Sequence, residues 1–381
     1  MSPRMIVPVV LLALPGVVSA ASVEYVIHIS VDGLRADLLE TLIETDTTGT
    51  FANFKRFLDE GATTFNARTD FTHTNTLPNH TSMLTGRPVL QPAGQPNTVH
   101  HGYTSNTQPC PGDTLHNQGN PNLAYIASVF DVAHDNGLCT AQFASKSKFV
   151  IFEQGYNAAN GAPDTTGPND GPDKIDTYVN LSSGSPSKAA ILHAAFIADM
   201  STNHYNYSFV HYRDPDSAGH ASGWGSAAWR SSVAAVDGYL GGIFDLIEND
   251  GLLAGRTAVI LSADHGGTGF GHGNPGLPAN YTIPFFVWGS GITAADLYAL
   301  NATTRLDPGT GRTDYNSVPQ PIRNGDGGNL ALDLLGLGSV AGSTINAGQD
   351  LAVGQCPPDL DGDGRWQDSG LLRTSASPNS S

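Results

Sequence analysis

Aspartate and histidine recur in this chain at spacings that suit metal ions. In Asp214-Pro215-Asp216-Ser217-Ala218-Gly219-His220, Asp216 and His220 stand four residues apart, so both can reach one ion from a tight turn or a first helical turn. In Ser262-Ala263-Asp264-His265-Gly266-Gly267 the two candidate ligands are adjacent, followed by glycines that let backbone come close. Asp32 closes an apolar run in Ser30-Val31-Asp32-Gly33, where it could also cap a following helix. His272 lies in the glycine-rich stretch Gly269-Phe270-Gly271-His272-Gly273. Carboxylate and imidazole donors without thiolates favour zinc, with manganese or iron behind it. A second kind of chemistry is written in Thr74-Asn75-Thr76-Leu77-Pro78-Asn79-His80-Thr81-Ser82. Hydroxyls at the start of a helix cap its orphan amides, and the same helix end welcomes a phosphate.

These residues can meet only if the fold brings them together. Apolar runs at 23–31, 138–144, 207–212, 257–263 and 282–288 read as buried strands. Helical patterns at 51–58, 122–136, 188–200 and 227–249 lie between them. Strands alternating with helices predict an α/β fold with a mostly parallel central sheet and helices on both faces. In such sheets ligands bind beyond the carboxyl ends of the strands. Asp32, Asp216, Asp264 and His265 all follow a predicted strand, which places the site on that one edge.

The remaining segments bound the function. Residues 1–20 carry Arg4, an apolar run from Met5 to Leu14 and the small-residue site Val18-Ser19-Ala20, the pattern of a secretory leader. Two prolines break that run, which is too short for a membrane span. The expected location is therefore secreted or periplasmic, with residues 21–355 as the catalytic domain. A net charge of −17 repels long nucleic acid, whereas a small phosphorylated substrate remains compatible with metal ions in a cleft. Residues 157–187, rich in Gly, Pro, Asn and Asp, read as a surface excursion that could lie over the site, and 303–324 look similar. Residues 356–381 read as a flexible tail. Within it Asp359, Asp361 and Asp363 match the first positions of a calcium loop, but Gly370 stands where the closing Glu belongs. Cys110 and Cys139 could pair in an oxidising compartment, leaving Cys356 odd.

In this order the segments resemble the alkaline phosphatase superfamily, most closely its nucleotide pyrophosphatase/phosphodiesterase branch. Thr76-Leu77-Pro78-Asn79-His80 matches that branch's nucleophile motif, and the likeness runs from Asp32 to about Gly291. The resemblance implies one metal held by Asp216, His220 and a further His, and another by Asp32, Thr76, Asp264 and His265. No His follows His272, so His272 takes the remaining place. It also implies an Asn that supports a phosphoryl oxygen, for which Asn106, after His101-Gly102, is chosen over Asn97. Sulfatase members use a modified Cys or Ser, and no Cys lies near Thr76. The implied activity is phosphodiester or pyrophosphate hydrolysis through a phosphothreonine at Thr76 with two zinc ions. A phosphomonoesterase or phosphonate hydrolase is the alternative, and a catalytically dead binding relative is the non-enzyme one. Lys146 and Lys148, read as an extended i, i+2 pair, would face one spot and grip the extra charge of a terminal phosphoryl group. Some monoesterase and phosphonate-hydrolase relatives resemble this arrangement.

Overall fold

The computed structural model describes residues 23–168, 171–181 and 188–354. The leader pattern, the calcium-loop residues Asp359, Asp361 and Asp363, and Cys356 lie outside the described residues.

Five strands follow the predicted runs closely. They are Tyr25–Val31 (β1), Thr140–Ala144 (β3), Tyr207–Tyr212 (β5), Thr257–Ser262 (β6) and Thr282–Gly289 (β7). Three more complete the sheet: Ala62–Arg68 (β2), Thr177–Asn180 (β4) and Ala295–Asp296 (β8). The eight strands run in the order β4-β3-β5-β1-β6-β7-β2-β8. From β4 through β6 every pairing is parallel, and β7 is antiparallel to both β6 and β2. Every residue of β1, β5 and β6 is buried, as continuous apolar runs require when helices cover both faces.

Helices Ala52–Glu60, Lys188–Asn203 and Ala227–Asn249 pack together on one face, and Thr76–Thr85, Val129–Asp135 and Asp326–Leu334 on the other. The longest, Ala227–Asn249, starts where Ser226 accepts the Trp229 N–H, and buries Trp229, Val233, Val236, Leu240, Ile243 and Ile247 along one stripe. The helix expected over 122–136 begins only at Val129, because Ser128 N–H and Oγ both donate to Asp131 Oδ2 and fix the start there.

Three expectations need correction. The described part of the excursion at 157–187 is built into the sheet and reaches both ends of its strands, Asn180 Nδ2 donating to Lys146 O at 3.0 Å at the carboxyl end. Thr140, the first residue of β3, donates its N–H to Asp176 and its hydroxyl to the Lys174 carbonyl, so this stretch reaches the amino ends of the strands. Lys174 is buried there between Asp135 and Asp164, and 177–180 become the edge strand β4. The stretch 303–324 is not wholly a surface excursion either, since Ile322, Arg323 and Asn324 are buried. Cys110 and Cys139 are exposed and unbridged; the first caps a turn beside Asp113 and the second opens onto β3.

Two imidazoles buried in this scaffold, His28 in β1 and His101, have their pKa pushed down to about 3 by desolvation. The unfolded chain protonates them near 6.5, so the stability they contribute is present above that value and is lost as pH falls toward 3. The unfolding free energy from urea titration should therefore fall steadily between pH 6.5 and 4, by about 1.4 kcal/mol per pH unit for each such histidine. His28→Leu should flatten that slope by one proton's worth. An unchanged slope would show that His28 is not held neutral.

Candidate active site

Asp32 follows β1, Asp216 lies in the first turn of the helix Asp214–Ser222 after β5, and Asp264 and His265 follow β6. Because β5, β1 and β6 are adjacent and parallel, their carboxyl ends deliver these residues to one place. The backbone locks the arrangement: Asp216 N–H donates to Asp32 O at 2.9 Å, and Gly33 N–H donates to Asp264 Oδ1 at 3.1 Å. Gly33 has φ +71°, and a Cβ there would lie 2.8 Å from Asp216 Cα, so this approach needs glycine.

Two clusters result. Donor atoms of Asp216, His220 and His272 lie within 4.8 Å of one another, and so do those of Asp32, Asp264 and His265. His272 reaches the first cluster because Thr74 holds it twice: His272 Nδ1 donates to Thr74 O at 2.6 Å, and Thr74 Oγ1 donates to His272 O at 2.5 Å. His220 Nδ1 likewise donates to Phe270 O, and His265 Nδ1 to Gly266 O. A carbonyl can only accept, so all three Nδ1 atoms carry the proton and all three Nε2 lone pairs face inward. Asp32 Oδ1, Asp216 Oδ1, Asp264 Oδ2 and His265 Nε2 are buried without a hydrogen-bond partner. Converging buried acceptors with nothing to donate to them fit divalent cations.

The other oxygens of two of these carboxylates are already engaged. Lys146 Nζ lies 2.5 Å from Asp32 Oδ2 and 2.7 Å from Asp216 Oδ2, and His211 Nε2 donates to Asp32 Oδ2 at 3.0 Å. Burial works against charge on Asp32, but Lys146 and His211 bring its pKa well below the usual carboxylate range. Burial and Asp32 oppose charge on Asp216 too, yet Lys146 and His220 leave it lowered. Asp264 lacks such a partner, and burial and Asp32 push it well up.

Thr76 is the first residue of the helix Thr76–Thr85, whose ten residues are all buried. Other hydroxyls in the segment are committed: Thr74 to His272 O, Thr81 to Leu77 O, Ser82 to His101, and Thr85 to Thr81 O. The Thr76 hydroxyl has no hydrogen-bond partner among the described residues. Asn106 meets the same helix start, where its Oδ1 accepts from Leu77 N–H at 3.0 Å and from Lys148 Nζ at 2.8 Å. That turns its amide nitrogen the other way, free to donate. Asn97 instead meets Asn120 through its carbonyl. With Leu77 N–H taken and Pro78 lacking one, the helix offers fewer amides to an anion than the sequence suggests.

Lys146 and Lys148 line one cleft but hold different partners. Ser147–Phe149 form a 3-10 turn, so the two do not form the extended i, i+2 pair expected. Lys146 turns to the carboxylates and Lys148 to Asn106. Burial lowers the Lys148 pKa to about 8, so it is still mostly charged near neutrality.

Sequence reasoning missed His211 and Trp224. The Trp224 ring is sandwiched against Gly219 and Gly267, where a Cβ would come within 2.6 and 2.1 Å of it, and Nε1 donates to Gly33 O. It meets His220 and His272 edge-on. The glycines flanking the ligands were the available signal, since each marks a surface on which something large must lie flat.

Residues 26–277 match the family model described as type I phosphodiesterase / nucleotide pyrophosphatase. Among solved structures, wild-type alkaline phosphatase PafA is similar over 89% of this chain and 99% of its own, with a TM-score of 0.57 and 14% identity. Murine ectonucleotide pyrophosphatase/phosphodiesterase 5 in complex with AMP is similar over 86% and 99%, with a TM-score of 0.56 and 15% identity. Both show the same fold. Among curated proteins, GPI ethanolamine phosphate transferase 1 of Neurospora crassa is 33% identical over 90 residues, 24% of this chain and 9% of that protein. The mouse protein of that name is 32% identical over 84 residues, 22% of this chain and 9% of its own. The matched stretch is thus about a tenth of the length of these relatives.

Proposed function

We propose that this chain, which belongs to the type I phosphodiesterase / nucleotide pyrophosphatase family, hydrolyses phosphoric diesters with Thr76 as the nucleophile. The observation that carries this reading is the uncommitted Thr76 hydroxyl at a helix N-terminus beside two sets of orphaned, buried metal-type ligands.

Asp32, Asp264 and His265, with Thr76, would hold one divalent cation, and Asp216, His220 and His272 another, with zinc favoured by the donor set. Such ions supply the positive charge that makes a hydroxyl ionisable and stabilises entering and leaving oxygens. Thr76 Oγ gives up its proton to solvent and attacks phosphorus in line, forming a new P–O bond as the ester P–O bond breaks; the departing oxygen keeps the bonding pair and takes a proton from solvent to leave as the alcohol. The result is a phosphothreonine, which water then cleaves to restore the hydroxyl. Asn106 Nδ2, aimed by the two donors on its oxygen, binds a non-bridging phosphoryl oxygen as charge builds on it. His80 holds the nucleophile's backbone: Nδ1 donates to Thr76 O at 2.7 Å, and Nε2 meets Ser30 Oγ at the end of β1.

A second reading, phosphomonoester hydrolysis, is favoured by one feature. The Lys148 ammonium on Asn106 brings positive charge beside the phosphoryl position, where a monoester carries one more negative charge than a diester. One assay set separates the readings. Metal-loaded wild type should turn over bis-p-nitrophenyl phosphate, and Thr76→Ala should lose at least about a thousandfold in rate with the fold intact. Near-normal turnover by that variant would remove Thr76 from the mechanism. Lys148→Ala should slow p-nitrophenyl phosphate more than the diester if monoesters are the natural class. Equal losses on both substrates would return Lys148 to a structural role.

The leader pattern in residues 1–20 supports action outside the cytoplasm. Expressed with that segment, the protein should be recovered from the medium or periplasm with its N-terminus near residue 21. Recovery of the uncleaved chain from the cytoplasm alone would count against export.

A further inference from the structure

The chemistry at Thr76 leaves His211 without a role. It belongs to β5, in register with Ser30 of β1 and Ala144 of β3, and it is completely buried. Phe149 lies against its ring with centroids 4.1 Å apart, and His80 meets it edge-on at 5.1 Å. Both ring nitrogens are engaged. Ser145 N–H donates to His211 Nδ1 at 3.4 Å, and His211 Nε2 meets Asp32 Oδ2 at 3.0 Å. A backbone N–H can only donate, so Nδ1 is the acceptor and Nε2 carries the proton. Ser145 is itself held, since its hydroxyl donates to His211 O at 2.9 Å and accepts from Arg213 N–H at 3.0 Å. Position, orientation and tautomer of the ring are thus all fixed.

This tautomer is the reverse of the one in His220, His265 and His272, which carry the proton on Nδ1 and turn an Nε2 lone pair inward. His211 therefore offers no lone pair to an ion and donates instead to a carboxylate that would hold one. Asp32 is the one candidate ligand to which it hydrogen-bonds among the described residues. With Oδ2 taken by His211 and Lys146, Asp32 keeps Oδ1 buried and without a partner.

We propose that His211 is a positioning residue for one of the two cations alone, holding the Asp32 carboxylate with Oδ1 turned to the ion shared with Asp264 and His265. The inference rests on the reading above, in which each cluster holds a divalent ion. A donor behind a ligating carboxylate fixes its rotation, and losing such a donor costs about 10- to 100-fold in metal affinity. Lys146 spans Asp32 and Asp216 and so serves both clusters, whereas His211 serves one.

Zinc titration in competition with a chromophoric chelator tests this in two parent variants, each with one cluster disabled. His272→Ala keeps the Asp32 cluster, and His265→Ala keeps the Asp216 cluster. In the His272→Ala parent, His211→Phe fills the space without a donor and should weaken zinc binding at least about tenfold. His211→Asn can still accept from Ser145 N–H but is too short to reach Asp32, and should do the same. His211→Gln carries an amide N–H near the Nε2 position and should recover most of the loss. In the His265→Ala parent all three changes should leave zinc affinity unchanged. A general loss of fold would weaken zinc in both parents alike, so the difference between parents is the readout. Equal losses in the two parents, no loss in the His272→Ala parent, or a Gln variant as weak as Phe and Asn overturns the assignment while the metal reading stands. Failure of both parents to bind zinc defeats the metal reading and the role of His211 with it.

Discussion

Three carboxylates, Asp32, Asp216 and Asp264, converge where water does not screen them, and among the described residues Lys146 is the one lysine or arginine that pairs with them, the other neighbours being histidines. Two like charges about 4 Å apart cost roughly 4 kcal/mol even at an effective dielectric constant near 20. Asp264 shows the strain most plainly, since burial and Asp32 drive it toward its neutral form. The structure holds these groups together with backbone, and leaves one oxygen on each without a donor. Added positive charge, such as a divalent cation brings, would relieve this repulsion.

Much of the surrounding fold keeps the cluster fixed. The parallel pairing of β5, β1 and β6 sets the ligands side by side, and Gly33 lets the turns after β1 and β5 touch. Trp224 fills the space under the histidines. On the nucleophile side, Asn79 fastens the loop before the helix, accepting from Asp70 N–H and Asn324 Nδ2 while donating to the His73 and Asn75 carbonyls. The two sides meet at Thr74, which clamps His272 two residues before Thr76. The candidate metal ligands and Thr76 are thus one mechanical unit.

The buried strands were legible because a strand covered on both faces is apolar along most of its length, as in Val-Ile-His-Ile-Ser-Val of β1 or Thr-Ala-Val-Ile-Leu-Ser of β6. The edge strand β4 is only half-buried and β2 is mixed in polarity, so neither carries that signal. The gathering of Asp32, Asp216, Asp264 and His265 at one sheet edge was readable from their place after strands. His211 was not, because a histidine inside a strand looks like any core residue until its neighbour across the ladder is known. Lys146 was placed in the right region, but its pairing with Asp32 and Asp216 was not legible, since it depends on the path of the chain into the turn at Ser147–Phe149. Local composition announces which residues gather. Their division of labour depends on backbone turns of three residues, which composition does not encode.

The central claim is that this chain holds two divalent cations, one in each cluster, and the most direct measurement is metal content. Protein purified without chelator, or reconstituted and desalted, should carry two zinc equivalents per chain by plasma mass spectrometry. His272→Ala should leave one tightly held, as should His265→Ala, each emptying a different cluster. Active protein with no stoichiometric metal, or two equivalents retained in both variants, would contradict the account.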